Sequence, residues 1–156
     1  MCLLLLCRGA REVVTLEYGL FRSEHPAWQI LRPAEFHKRY QDGSLGQFEA
    51  VFTYSSVEHS GLGRYGDSLN PWGDIIAVAQ AWCVATPAAS LAIAVPTNVN
   101  GEDRIEFNAG RVYGPILYPF LATNWKFIWP IEGKGVLWSS ETHQHPREPQ
   151  FSFSGI

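Results

Sequence analysis

Glu58 and His59 stand side by side in "SSVEHSGLGRYGDSLNPWGD", which runs from Ser55 to Asp74 and holds four glycines and four charged side chains. Histidine titrates near neutrality and can take or shuttle a proton. The adjacent carboxylate can hold the imidazole or contact a substrate. Neighbouring residues on an extended segment point to opposite faces, so the pair can equally make two loop-shaping hydrogen bonds. Glu17 is a second candidate, because a carboxylate ending a parallel strand can accept both ribose hydroxyls of a nucleotide; the alternative is a solvated strand end. Gly61, Gly63 and Gly66 spell GxGxxG. In a dinucleotide site the first glycine ends the strand and a helix opens at the last. Here Asp67, Asn70 and Pro71 delay the helix, so the match reads as coincidence. Glu58, His59, Asp67, Asp74, His143 and His145 are the available metal ligands, but no HExxH or paired-cysteine spacing exists, and no metal site is expected. Ser55 and Ser56 lack the GxSxG elbow. Cys83 lies in an apolar helical pattern, where a thiol is usually inert.

The elements that must position these groups alternate. "MCLLLLC" reads as the end of a buried helix stopped at Gly9. It has no basic start or cleavage site, so it is not read as a signal peptide. "EVVTLEY" (12–18) is a strand ending at Glu17, and "AWQIL" (27–31) a short one. "PAEFHKRYQDG" (33–43) is a helix opened by Pro33 and stopped by Gly43. "FEAVFTYS" (48–55) is a strand. "PWGDIIAVAQAWCVA" (71–85) is a helix apolar on nearly all sides, hence expected buried, with Asn70 as cap and Pro71 as its first residue. "SLAIAVP" (90–96) has the continuous apolar run of a central parallel strand. Residues 97–110 read as loop and 111–124 as a helix kinked by Pro115 and Pro119. "WKFIWPI" and "GVLWSSE" read as two strands joined by a turn. Strands separated by helices imply an α/β domain over 1–141, followed by a tail at 142–156. In such sheets ligands sit at strand carboxyl ends. Glu17, the Ser55–Asp74 loop and the 97–111 loop fall there.

Composition narrows the partners. The 156 residues are 46% apolar and 17% charged, with a net charge of −3. No basic run exists, which argues against nucleic acid. No segment is long enough to cross a bilayer. Three unpaired cysteines, Cys2, Cys7 and Cys83, suit a reducing compartment such as the cytoplasm.

Four stretches together, "TLEYG" (15–19), the Ser55–Asp74 loop, "AWCV" (81–84) and "FNAGRVYG" (107–114), resemble the domain-of-unknown-function family 268, over about residues 8–130. The wider pattern is similar to Rossmann-like class I methyltransferases that use S-adenosylmethionine. That resemblance implies a Rossmann-like, mostly parallel sheet with a C-terminal antiparallel pair at 125–141. It puts Glu17 at the end of the second strand as the ribose ligand. "FEAVFTYSSVEH" would end the fourth strand, with Ser55 and Ser56 near the cofactor and Glu58 and His59 as catalytic residues. Arg64, Tyr65 and Asp67 become acceptor-side residues, with Asn108, Arg111 and Tyr113 on the loop after the fifth strand. The pattern's central first strand and its glycine-rich turn have no counterpart here. A truncated domain is therefore expected, with weak or no cofactor binding. Unpaired inner strand edges would favour a homo-oligomer.

Three functions follow. The first is a methyltransferase-like domain, active or inactive, acting on a small-molecule acceptor. The second is a non-catalytic relative binding a sugar-like ligand or a protein. The third is a metal-dependent hydrolase, which stoichiometric zinc or manganese would reveal.

Overall fold

β-branched and apolar side chains at 13–16 and 28–31 build β1 (Val13–Leu16) and β2 (Trp28–Leu31). They pair in parallel, with Val13 opposite Trp28 and Leu16 opposite Leu31. The Trp28 indole N–H donates to Thr15 Oγ1 at 2.9 Å across the pair. These elements come from a computed structural model that describes residues 2–98, 101–131 and 135–139, with side chains over 4–98 and 101–126. The chain forms two compact units, Met1–Gly46 and Gln47–Ile156. The first unit also holds α1 (Cys2–Cys7) and α2 (Pro33–Gln41). Pro33 has no amide hydrogen to lose in the first helical turn, so it suits the start of α2. Among the described side chains of this unit, Leu31 is buried and the rest are partly or fully exposed.

The second unit is organised around β4 (Ala85–Ala94). β3 (Phe48–Tyr54) runs parallel along one side of it, with Ala50 opposite Ser90 and Tyr54 opposite Ala94. β8 (Gly135–Ser139) lies antiparallel along the other side, and β7 (Lys126–Ile131) pairs antiparallel outside β8. The order is β3-β4-β8-β7. Alternate residues of β4 and its extension, Ala89, Leu91, Ile93 and Val95, are buried, as the period of two requires. Leu91, Ile93 and Val95 pack with Val57, Val78, Tyr113, Tyr118, Leu121, Ala122 and Trp125 into one core. Full burial of a side chain such as Leu91 contributes roughly 1.5–3 kcal/mol. Val78 comes from α3 (Gly73–Cys83) and Leu121 from the short α4 (Tyr118–Leu121). A hairpin of β5 (Arg104–Glu106) and β6 (Gly110–Val112) sets Ile105 opposite Arg111.

The fold is thus mixed α/β, with a parallel pair, a mixed sheet and an antiparallel hairpin. The antiparallel pair expected near the C-terminal end is present. Several sequence expectations are corrected. The loop expected over 97–110 contains β5 and the start of β6. The helix expected over 111–124 shrinks to Tyr118–Leu121. Its first part is strand: Thr97 bridges to Tyr113. The cause is long-range, since the Asp103 carboxylate accepts the amides of Gly114, Ile116 and Leu117 at 2.7, 3.0 and 2.8 Å. Helix α3 starts at Gly73 rather than Pro71, and Asn70 Oδ1 instead accepts the Trp72 amide at 3.0 Å. Asp74 and Val78 are its buried residues, while Ile76 and Cys83 are exposed, so α3 is not buried all round. Among the described residues, no helix is long and apolar enough to cross a membrane. The tail from 142 lies outside the described residues.

Candidate functional site

The chain leaves the sheet abruptly at the end of β3. The Ser55 amide still donates to Ala94 O at 2.8 Å, but its φ of 45° turns the backbone out of the strand. A single 3-10 turn, Val57–His59, follows. Val57 anchors this turn in the core. Glu58 is 1% exposed. Its Oε1 accepts from the Ser55 hydroxyl at 2.7 Å. Its Oε2 has no hydrogen-bond partner among the described residues. Leaving a buried polar atom unpaired costs about 1–3 kcal/mol, and more for a charged group. Such an atom calls for an explanation.

His59 is fixed from the far side. Its Nδ1 meets the Ala109 carbonyl at the tip of the β5–β6 hairpin. A carbonyl only accepts, so Nδ1 carries the proton and neutral His59 presents a bare lone pair at Nε2. Nε2 lies 3.6 Å from Glu58 Oε1, beyond a hydrogen bond but within reach of charge. Gly110 packs against this ring: a Cβ there would stand 3.1 Å from His59 Nδ1. The Tyr65 ring lies edge-on to His59 with centroids 5.7 Å apart. Arg64 stands over Tyr65, its guanidinium carbon 5.8 Å from the ring centre, and donates to Ala109 O at 3.5 Å.

Beneath the pair lies a buried clamp. Arg111 is 2% exposed. It donates to the carbonyls of Glu58, Ser60 and Pro71 at 3.2, 2.7 and 2.8 Å. Its Nε is 3.4 Å from Asp74 Oδ2. The Tyr113 hydroxyl donates to the same carboxylate oxygen at 2.8 Å. Burial, then the Asp74 charge and hydrogen bond, push the Tyr113 phenol far above its ordinary value, so it stays a donor. Burial pushes Tyr118 up to about 12.

A model of the family described as "Caenorhabditis protein of unknown function, DUF268" matches residues 2–143. The chain belongs to that family. No curated protein and no solved structure matches it.

In this DUF268 member the residues singled out in the sequence fall into three groups. Ser55, Glu58, His59, Arg64 and Tyr65 come together at the end of β3, joined by Ala109 and Gly110 of the hairpin. Ser56 and Asn108 are exposed there without a side-chain hydrogen bond to the pair; Asn108 takes φ 55° in the hairpin turn. Asp67 serves its own loop: Oδ2 accepts the Gly61 amide at 2.6 Å and Oδ1 the Tyr65 amide at 3.3 Å. Burial alone would raise its carboxyl, but the amides of Asp67, Gly61, Tyr65 and Gly63 outweigh that and lower it. Arg111 and Tyr113, expected on an acceptor-side loop, lie instead in the core clamp. Glu17 belongs to the first unit, where its Oε1 accepts the amides of Tyr18 and Gly19 at 2.8 and 3.2 Å.

The glycine loop proves to be packed backbone against backbone. Gly61, at φ 76°, stands so close to the turn before α3 that a Cβ would sit 2.0 Å from Asn70 O. The Asn70 amide donates to Gly61 O at 2.8 Å. The partner that approaches Gly61 is the chain's own backbone at Asn70 and Gly73. Sequence reasoning missed Ala109, Gly110 and the Asp74 partner of Arg111. "NAG" was the one local signal for the hairpin tip. Among the described residues no group of three histidine, cysteine or acidic side chains could hold a metal ion.

Proposed function

We propose that the chain is a methyltransferase-like protein whose Glu58–His59 pair is an acid–base site for a hydroxyl-bearing small molecule. One observation carries this reading. His59 is held by Ala109 as the tautomer with a free Nε2, and a buried carboxylate stands 3.6 Å from that nitrogen. Nε2 accepts the hydroxyl proton, and the bound oxygen becomes the stronger nucleophile. Glu58 offsets the imidazolium charge, which counts for more in a buried setting than in water. Ser55 orients the carboxylate.

The arrangement of β3, β4, β8 and β7 agrees with a Rossmann-like reading, in which two parallel strands are followed by an antiparallel pair. S-adenosylmethionine would supply an electrophilic methyl group. Glu17 fits its ribose, since two turn amides orient the carboxylate at a strand end. No glycine-rich turn after a strand is placed among the described residues to hold the methionine half, so the fit is incomplete. Titration of S-adenosylmethionine, followed by amide NMR shifts, tests this. Losing about three hydrogen bonds at roughly 1 kcal/mol each weakens binding by about two orders of magnitude, into the millimolar range. The amides of Tyr18 and Gly19 should shift, and Glu17→Ala should abolish the effect. A micromolar dissociation constant would overturn the expected weak binding, and shifts unchanged by Glu17→Ala would overturn the place of Glu17 at the ribose.

A second reading, non-catalytic binding of a sugar-like ligand, is favoured by the exposed Tyr65 ring beside the pair. The outer edge of β3 has no strand partner among the described residues, which favours self-association. Exposed free thiols at Cys7 and Cys83 suit a reducing compartment such as the cytoplasm.

A further inference from the structure

We infer that the ligand of the Glu58–His59 site carries two hydroxyls on neighbouring carbons of a ring, as a pyranoside does. The inference rests on the acid–base reading above and names its ligand class. Counting donors and acceptors leads to it. His59 Nδ1–H is occupied by Ala109 O, so Nε2 can only accept. An ionised carboxylate can only accept, and among the described residues Glu58 has one donor, Ser55 Oγ, for its two oxygens. The pair itself therefore offers adjacent acceptors 3.6 Å apart and no donor, while the nearby donors of Arg64 turn to Ala109 O. A complementary ligand brings at least two.

Two small groups do so, a vicinal diol and a primary ammonium. The surroundings separate them. Arg64 reaches Ala109 O at 3.5 Å, and Arg111 donates to the carbonyls of Glu58 and Ser60. The Arg64 guanidinium, with no carboxylate partner among the described residues, disfavours a second cation beside it. The Tyr65 ring, 56% exposed, offers an apolar surface to the C–H face of a saturated ring. A neutral cyclic polyol satisfies both conditions. Its first hydroxyl donates to the carboxylate, where it and Ser55 Oγ share the two oxygens. Its second donates to His59 Nε2, whose side chain is 19% exposed. Ser55 is itself exposed, so its single bond to Glu58 can rearrange without disturbing the core.

The test is titration of the full chain with methyl glucoside, methyl galactoside and methyl mannoside, to roughly 100 mM, well beyond the millimolar range. His59 ring shifts in NMR are the readout. At least one pyranoside should give a saturable shift. Glu58→Gln should weaken it at least about tenfold, as expected when a charge-assisted bond is lost. Tyr65→Ala, an exposed change that leaves the core intact, should weaken it as well. Tetrahydropyran-2-methanol, a ring with one hydroxyl, should give none. No saturable shift with any pyranoside, tighter binding of cyclohexylammonium, or a response unchanged in both variants would overturn the inference. A His59 ring protonated at Nε2 instead of Nδ1 would overturn the acid–base reading itself, which separates the two failures.

Discussion

Replacing Arg111 with methionine keeps most of the side-chain volume and removes every polar contact that Arg111 makes in the clamp. Arg111 is 2% exposed. It holds three carbonyls, at Glu58, Ser60 and Pro71, and stands 3.4 Å from Asp74. Removing one partner of a buried ion pair costs about 3–5 kcal/mol, because the other charge stays buried. The carbonyls lose about 1 kcal/mol each unless water reaches them. These terms overlap, so about 4 kcal/mol is the expected loss. That is a large part of the roughly 5–15 kcal/mol that holds a domain. Urea unfolding is the assay. With an m-value of about 2 kcal/mol per molar, the midpoint should fall by about 2 M. Adding Asp74→Asn should restore part of the loss, since the stranded charge is then gone. A midpoint shift below about 0.5 M with unchanged m-value would refute the clamp as the anchor of the Glu58–His59 turn.

Two further substitutions probe the glycine loop. Gly61→Ala and Gly66→Ala both meet a positive φ, of 76° and 82°, but only at Gly61 would the Cβ collide with Asn70 O. Gly66→Ala should cost about 1 kcal/mol, and Gly61→Ala clearly more; equal midpoints in urea would contradict the packing described. Asp67→Asn addresses pH. The folded carboxyl lies below its ordinary value of 3.8, so its stabilisation is full above that value and is lost as pH falls through the lowered folded one. The variant should be less stable near neutrality and show a flatter decline in acid; parallel profiles for both proteins would show that the loop amides do not hold the charge.

Much of the frame was legible because it rests on local patterns. The β-branched run at 13–16, the apolar and aromatic run at 48–54 and the Pro33 start of α2 need no distant partner to be read. The Glu58–His59 pair was legible as a candidate, from residue types after a strand. Its geometry was not, because Ala109 lies fifty residues further along the chain from His59. Asp103 illustrates the same limit. Its carboxylate occupies amides at 114–117 that a helix over 111–124 would have placed elsewhere. Arg111 looked like a polar loop residue because its partner Asp74 sits in another element. Composition alone overstated the burial of α3, since Ile76 and Cys83 face outward.

The central claim is that His59 offers a free Nε2 to a ligand while Nδ1 is locked to Ala109. Long-range nitrogen–proton correlation of the imidazole, at alkaline pH where the ring is neutral, reads the tautomer directly. A protonated Nδ1 and a bare Nε2 are predicted in the unliganded chain. The opposite tautomer, with the proton on Nε2, would contradict the account, because the nitrogen meant to take a proton would already carry one.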